Sequence, residues 1–188
     1  LGIQSSNSSV RVEHAFNDDW RVRVAGGHSR SVIDDNVAFA YGCFYASECA
    51  DGSVPGWFFA PNGDYDVYDY RSPDDTRVND EARAVLKGSF DTGTISHEVS
   101  LGGSAFRRTI DRRPYVYDYV GTANIDEVDP PYFAPSPNQP GNSVRRLTSW
   151  QHSVFALDRV HLGTQWQVLA GGRFVRLHER AYDDTGAP

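Results

Sequence analysis

The residues most able to do chemistry are six histidines, an Asp-rich run and two cysteines, and their spacing is informative by what it lacks. The histidines are His14, His28, His97, His152, His161 and His178. His97-Glu98 opens a zinc-protease pattern, but Leu101 stands where the second histidine is required. His97 is therefore expected as an ordinary polar residue near the end of a strand. Ser29, in Gly27-His28-Ser29-Arg30-Ser31, lacks the second glycine of a nucleophile elbow. Gly102-Gly103 and Gly171-Gly172 have neither the lysine nor the following helix of a phosphate loop. Asp64, Asp66 and Asp69 offer oxygen ligands to Ca²⁺, but their spacing fits no EF-hand and no closing glutamate follows. The expected reading is a solvated acidic loop, with no metal and no cofactor. No two carboxylates stand out as a glycosidase pair, so the sequence points away from an enzyme. Cys43 and Cys49 cannot alone make a four-ligand zinc site. A short-loop disulfide is favoured over two free thiols, and it implies an oxidising compartment.

Aromatic and basic residues make the more promising pattern. Trp57-Phe58-Phe59, Tyr65/Tyr68/Tyr70 and Tyr115/Tyr117/Tyr119 form three aromatic clusters. Arg107-Arg108 and Arg112-Arg113 precede the last of them. One reading makes these rings part of a membrane-interface girdle or of loop self-packing. The other is a ligand vestibule, in which aromatic faces hold a bulky organic chelate and arginines attract its negative charge. On that second reading the binding set is Trp57, Tyr65, Tyr68, Arg107, Arg108, Arg112, Arg113, Tyr115, Tyr117 and Tyr119.

The elements that must position these residues are strands. In Val10-Arg11-Val12-Glu13-His14-Ala15-Phe16 the even positions are mostly apolar, and Trp20-Arg21-Val22-Arg23-Val24 repeats the alternation after Asn17-Asp18-Asp19. Period two places one set on each sheet face, and the short turn makes a hairpin. Ala82, Ala84, Leu86 and Phe90 alternate up to Asp91-Thr92-Gly93-Thr94, and Ile95, His97, Val99 and Leu101 alternate away from it. A third hairpin runs from about Thr148 to Tyr182 through Leu162-Gly163-Thr164, with its alternation blurred at Phe155–Leu157 and Val175–Leu177. The stretch Asp80–Lys87 has good helix formers, but its flanks favour a strand.

Two long irregular stretches, about 32–78 and 109–146, separate these hairpins. Very short turns on one side and very long loops on the other are the habit of an outer-membrane barrel, not of a soluble sandwich. Strands of about ten alternating residues suit a tilted crossing of the hydrocarbon layer. Arg21, Arg23, Arg83 and Lys87 then face the lumen. Phe16, Trp20, Leu86, Phe90, Val99, Leu101 and Trp166 face lipid.

Composition agrees. The 188 residues carry 18 Lys+Arg and 25 Asp+Glu, a net charge of −7, so nucleic acid is not an expected partner. No run approaches the roughly 20 apolar residues of a membrane helix, which leaves a β-barrel open. The chain opens on Leu1 rather than an initiator, and an excerpt of a longer protein is expected.

Several motifs resemble one family in order and spacing. Phe90-Asp91-Thr92-Gly93-Thr94-Ile95-Ser96-His97-Glu98-Val99-Ser100-Leu101-Gly102 resembles the F-x-T-G…H-x-L…G hairpin of TonB-dependent siderophore receptors. Asn17-Asp18-Asp19-Trp20 resembles their F-N-D-D-W turn. The run from Gln151 through Asp158, Trp166 and Gly171-Gly172-Arg173 is similar to their Q-x-G-x-Y-x-Q-D…W…G-G-R-Y-D hairpin. Ser153 departs from a frequent glycine, and Phe174-Val175 from the usual Tyr-Asp. The resemblance implies an all-β, antiparallel up-and-down barrel of about 22 strands filled by a plug. Residues 1–188 would supply about six of its strands, with extracellular loops at 32–78 and 109–146. It further implies a bacterial outer-membrane receptor that takes up a ferric siderophore or similar chelate. TonB-derived energy would arrive through a plug domain outside this chain, outer-membrane lipid would surround the barrel, and iron would arrive with its chelator rather than as a cofactor. The competing expectation is a soluble carbohydrate-binding β-sandwich.

Overall fold

The computed structural model describes residues 2–45, 49, 58–129 and 131–188. Seven strands make it up: β1 (Gly2–Ala15), β2 (Trp20–Ala40), β3 (Asp64–Thr92), β4 (Ile95–Arg112), β5 (Val116–Asn124), β6 (Val144–Leu162) and β7 (Trp166–Ala181). No helix occurs among the described residues, so Asp80–Lys87 lies within a strand. One sheet holds all seven in the order β1-β2-β3-β4-β6-β7, with β5 paired to β3. The described part of the chain divides into two compact units.

The larger unit comprises Ser5–Ser31, Thr76–Ile110 and Arg145–Pro188, and contains all three tight turns. Asn17 builds the first, its Oδ1 accepting from the backbone N–H of Asp19 (3.0 Å) and Trp20 (2.8 Å). Gly93 gives the second its left-handed backbone, with φ of 66°. The pairing of β6 with β7 runs without a shift from Leu147↔Ala181 to Leu162↔Trp166. Paired residues share a face, so Trp166, Val168, Ala170 and Phe174 stand with Leu162, Val160, Asp158 and Val154. Phe16, Val154, Phe174 and Trp166 are 61%, 61%, 67% and 70% exposed. No second layer covers them. Every buried apolar residue among those described lies in the other unit. A sandwich would bury these side chains against a facing sheet, and the sandwich expectation is overturned on that ground.

The opposite face is polar and is satisfied by cross-strand pairs. Arg23 meets Glu13 at 2.8 Å, and Glu98 takes both Arg159 (3.2 Å) and His161 (3.0 Å). Arg11, Arg21, Arg23, Arg83 and Lys87 line one hollow on this face. Large apolar side chains break the pattern there, which explains the blurred alternation: Leu169, Val175 and Leu177 share this face with Phe155 and Leu157. Phe155 lies against Gly102, and Leu157 lies against Gly171. A Cβ on residue 102 would fall 2.6 Å from the Phe155 ring and 2.8 Å from the Ala84 carbonyl oxygen. Because one of those neighbours is backbone, Gly102→Val should cost about 1–3 kcal/mol through overpacking. A lowered urea midpoint of the barrel containing this chain would show it. His97 sits beside the β3–β4 turn, held between Thr92 Oγ1 and Asp158 Oδ2 at 2.8 Å each and stacked on Phe90.

The smaller unit comprises Leu1–Gln4, Val32–Asp75 and Asp111–Val144. Much of it was expected as loop, and here the structure differs. β2 continues to Ala40, β3 begins at Asp64, and β5 pairs with β3 from Asp64↔Asn124 to Arg71↔Val116. Among the described residues of this unit, 41–45, 49, 58–63, 113–115, 125–129 and 131–143 connect strands without belonging to one. β3 alone has 29 residues, nearly three times the ten or so that a membrane strand needs.

Candidate functional site: an aromatic platform

The register of β3 on β5 builds the site. Tyr70 pairs with Tyr117 and Tyr68 with Tyr119, and a bulge between Val67 and Tyr68 leaves Val120 as an extra residue on β5. The Tyr68 and Tyr117 rings stack with centroids 5.0 Å apart. Tyr41 adds an edge-on contact to Tyr68 at 5.8 Å and another to Tyr117 at 6.0 Å. Phe39 reaches Tyr117 at 5.9 Å, Tyr45 lies on Tyr119 at 4.6 Å, and Phe58 meets Tyr41 at 6.4 Å. Offset and edge-to-face pairs of this kind stabilise one another beyond their buried area. Tyr68 is the anchor, only 8% exposed, whereas Tyr117 and Tyr119 present 37% and 38% of their surface. The result is a fixed array of open ring faces. Gly121, on the same strand, permits a close approach of Phe133, since a Cβ there would fall 2.2 Å from that ring.

A pinned loop borders the platform. Cys43 and Cys49 are joined by a disulfide with Cα atoms 5.6 Å apart, inside the normal window. Asp66 is fully buried, and its Oδ2 accepts from the backbone N–H of Phe44 (2.5 Å) and Tyr45 (2.9 Å). Its own backbone donates to Gly42 O at 2.8 Å and accepts from Tyr41 N at 2.9 Å. Asp69 performs the same service for the second connection, accepting from Ser136 N at 2.9 Å. Arg71 pairs with Asp69 at 3.0 Å and donates to the carbonyls of Ser136, at 2.7 Å, and Asn138. The acidic run is thus a set of loop anchors rather than a solvated stretch. No group of three metal-ligating side chains occurs among the described residues.

Burial pushes the Tyr68 phenol up to about 12, helped by the nearby Asp66 carboxylate. Hydrogen bonds from Ser136 and then Asn138 hold the Asp118 carboxyl below its usual value. For Tyr68 the folded state keeps its proton longer than the unfolded chain, so its contribution is complete below pH 10.0 and is lost as pH rises to about 12. Absorbance titration of tyrosinate in the protein and in its Tyr68→Phe variant should differ by one step near pH 12. A missing step near pH 10 would show that Tyr68 is not buried.

The expected binding residues divide. Tyr68, Tyr117 and Tyr119 meet in the platform; Tyr70 and Tyr115 extend it, 5.7 Å apart. Tyr65 lies beside Phe59 at 5.7 Å. Arg112 rests over Tyr115 at 5.9 Å, and Arg113 is tied to Asp74 at 3.0 Å. Arg107 and Arg108 belong to the other unit and point to opposite faces of β4. Arg107 lies over Trp150 at 5.0 Å, and Arg108 bonds Asn79 at 3.1 Å. Trp57 lies outside the described residues. Phe39, Tyr41 and Tyr45 were missed, although Val37-Phe39-Tyr41 continues the period-two pattern of β2.

This sheet, with one face bare and apolar and the other polar, has clear relatives. The family model "TonB dependent receptor-like, beta-barrel" matches residues 2–188. The chain belongs to the TonB-dependent receptor β-barrel family. The ferric-pyoverdine M114 receptor PbuA of Pseudomonas sp. (strain M114) is 28% identical over 173 residues, which are 86% of this chain and 19% of that protein. The pyoverdine outer membrane receptor FpvA of Pseudomonas aeruginosa PAO1 superposes with a TM-score of 0.71 at 15% identity, over 96% of this chain and 24% of that one. The ferric preacinetobactin receptor BauA of Acinetobacter baumannii gives 0.62 at 19%, over 94% of this chain and 25% of that one. This chain thus spans about a fifth of the curated relative it matches. As part of a TonB-dependent receptor barrel it resides in the bacterial outer membrane.

Proposed function

We propose that this chain carries part of the outer binding surface of a receptor that captures a ferric siderophore and admits it with TonB-derived energy. The observation that carries the reading is the platform itself. Tyr68 is buried and fixed, and Tyr117 and Tyr119 hold open ring faces on paired strands. Rigid aromatic faces bind a bulky, partly apolar chelate with little entropy cost. Arg112, beside Tyr115, adds a cation for an anionic chelate. The two pyoverdine receptors among the relatives make ferric pyoverdine the first probe to try. Iron remains the chelator's cargo, and no step requires a cofactor of the protein.

The test is equilibrium binding of ferric pyoverdine, ferric citrate and a ferric catecholate to the receptor containing this chain, and to its Tyr117→Ala/Tyr119→Ala variant. The chelate that binds should lose about 10- to 100-fold in affinity, as expected when two central aromatic anchors are removed. Unchanged affinity in a folded variant would take the platform out of the binding surface.

A further inference from the structure

The lipid-facing side of the larger unit changes character along its strands. Near the tight turns it is apolar and aromatic. Farther along β6 and β7 the same face carries Trp150 paired with His178 and His152 paired with Arg176, with Arg180 next on β7. Arg107 of β4 lies on the Trp150 ring. Arg176 stands ten residues along β7 from Trp166, a rise of about 25 Å for a strand tilted by about 40°. That is the height of a barrel's apolar band. The basic group therefore begins where the hydrocarbon ends, on the side away from the periplasmic turns.

These cations have no assigned work. Among the described residues Arg107, Arg176 and Arg180 pair with no carboxylate. The Nε of Arg107 is buried without a hydrogen-bond partner. The carboxylate on β3 of this face, Asp80, is already taken by His28 at 2.7 Å. Trp150 and His152 stack nearly parallel at 6.2 Å, and the Trp150 ring gives Arg107 an aromatic shelf. A guanidinium over an indole can still offer its terminal N–H groups to an oxyanion. At the outer hydrocarbon boundary the available oxyanions are lipid phosphates.

We infer that Arg107, Arg176 and Arg180, seated around Trp150, bind the phosphate groups of an outer-leaflet lipid. The contact is with annular lipid and lies apart from the aromatic platform. It would fix the barrel's height in the membrane and tie it to a phosphorylated glycolipid.

The experiment uses the full-length receptor containing this chain, purified in a neutral detergent. Native mass spectrometry reads lipid binding for three probes: diphosphoryl lipid A, dephosphorylated lipid A, and inorganic phosphate alone. Diphosphoryl lipid A should bind at least tenfold more tightly than the dephosphorylated form, and inorganic phosphate should not be retained. In Arg107→Gln/Arg176→Gln/Arg180→Gln the advantage should fall to about twofold or less, and lysine at the three positions should restore most of it. Should the triple variant fail to assemble, Arg176→Gln alone must reduce the advantage. In the unaltered receptor the advantage must also shrink as salt rises from about 50 mM to 500 mM. Equal binding of the two lipids, an advantage untouched by the substitutions, or retention of inorganic phosphate as strong as that of lipid would each overturn the assignment.

Discussion

Replacing Asp66 with alanine should release the disulfide-closed loop and abolish most chelate binding while leaving the barrel folded. Asp66 has no exposed surface, and one of its oxygens satisfies two backbone N–H groups of that loop. Bonds to an ionised acceptor contribute about 1.5–3 kcal/mol each, and removal leaves two part-buried donors without their acceptor. A local loss of about 3 kcal/mol or more is expected, enough to open the loop in an appreciable fraction of molecules. Phe44 and Tyr45 leave the platform with it, and Tyr45 is the ring that packs at a tilt against Tyr119. Affinity for the ferric chelate should fall at least tenfold, and protease should cut between residues 41 and 63. Asp66→Asn keeps an acceptor oxygen and should lie between the two. Intact protease resistance with unchanged affinity in the alanine variant would show that the carboxylate pins nothing.

Residues 1–188 expressed alone without detergent should fail to give a soluble monomer. Val10, Phe16, Val154, Trp166 and Phe174 stand on one face with well over half of each side chain exposed. β1 and β7 end the sheet as unpaired edges. An open edge beside a bare apolar face is a template for association. Size exclusion should therefore show aggregates, and thermal scans should show no cooperative transition. A monomer with a sharp melt would mean that some second layer covers the sheet in water, and the lipid-facing assignment would have to be withdrawn.

The three hairpins were legible because their strands follow a sharp rule, apolar on one face and polar on the other. On the apolar side Val10, Val12, Phe16, Trp20, Val22 and Val24 obey it, and His14 is the exception. The same rule explains what was misread. In the smaller unit acidic residues interrupt the apolar positions of Asp64-Tyr65-Asp66-Val67-Tyr68, and Pro114 separates β4 from β5. Both segments looked like loop. Arg107 and Arg108 looked like one patch because they are adjacent in sequence, yet the strand sends neighbours to opposite faces. Phe155 and Leu157 looked like noise, since nothing local says that Gly102 and Gly171 leave room for them. The resemblance to siderophore receptors needed only turn and hairpin motifs, which lie in the regular part. The platform lies in the irregular part, where partners such as Tyr45 and Tyr119 are far apart in sequence.

The Cys43–Cys49 link also bears on how the receptor is made. Its two residues are 3% and 5% exposed, so in the finished protein neither oxidant nor reductant reaches the sulfurs easily. The bond must be closed earlier, while the chain is still in transit through the periplasm, where thiol oxidation is enzymatic. The loop then arrives at the membrane as a small closed ring rather than as a slack strand. A cell unable to oxidise periplasmic thiols would consequently export a barrel of normal size with this loop left open, and under the proposed function the defect would surface as weakened chelate uptake rather than as missing protein.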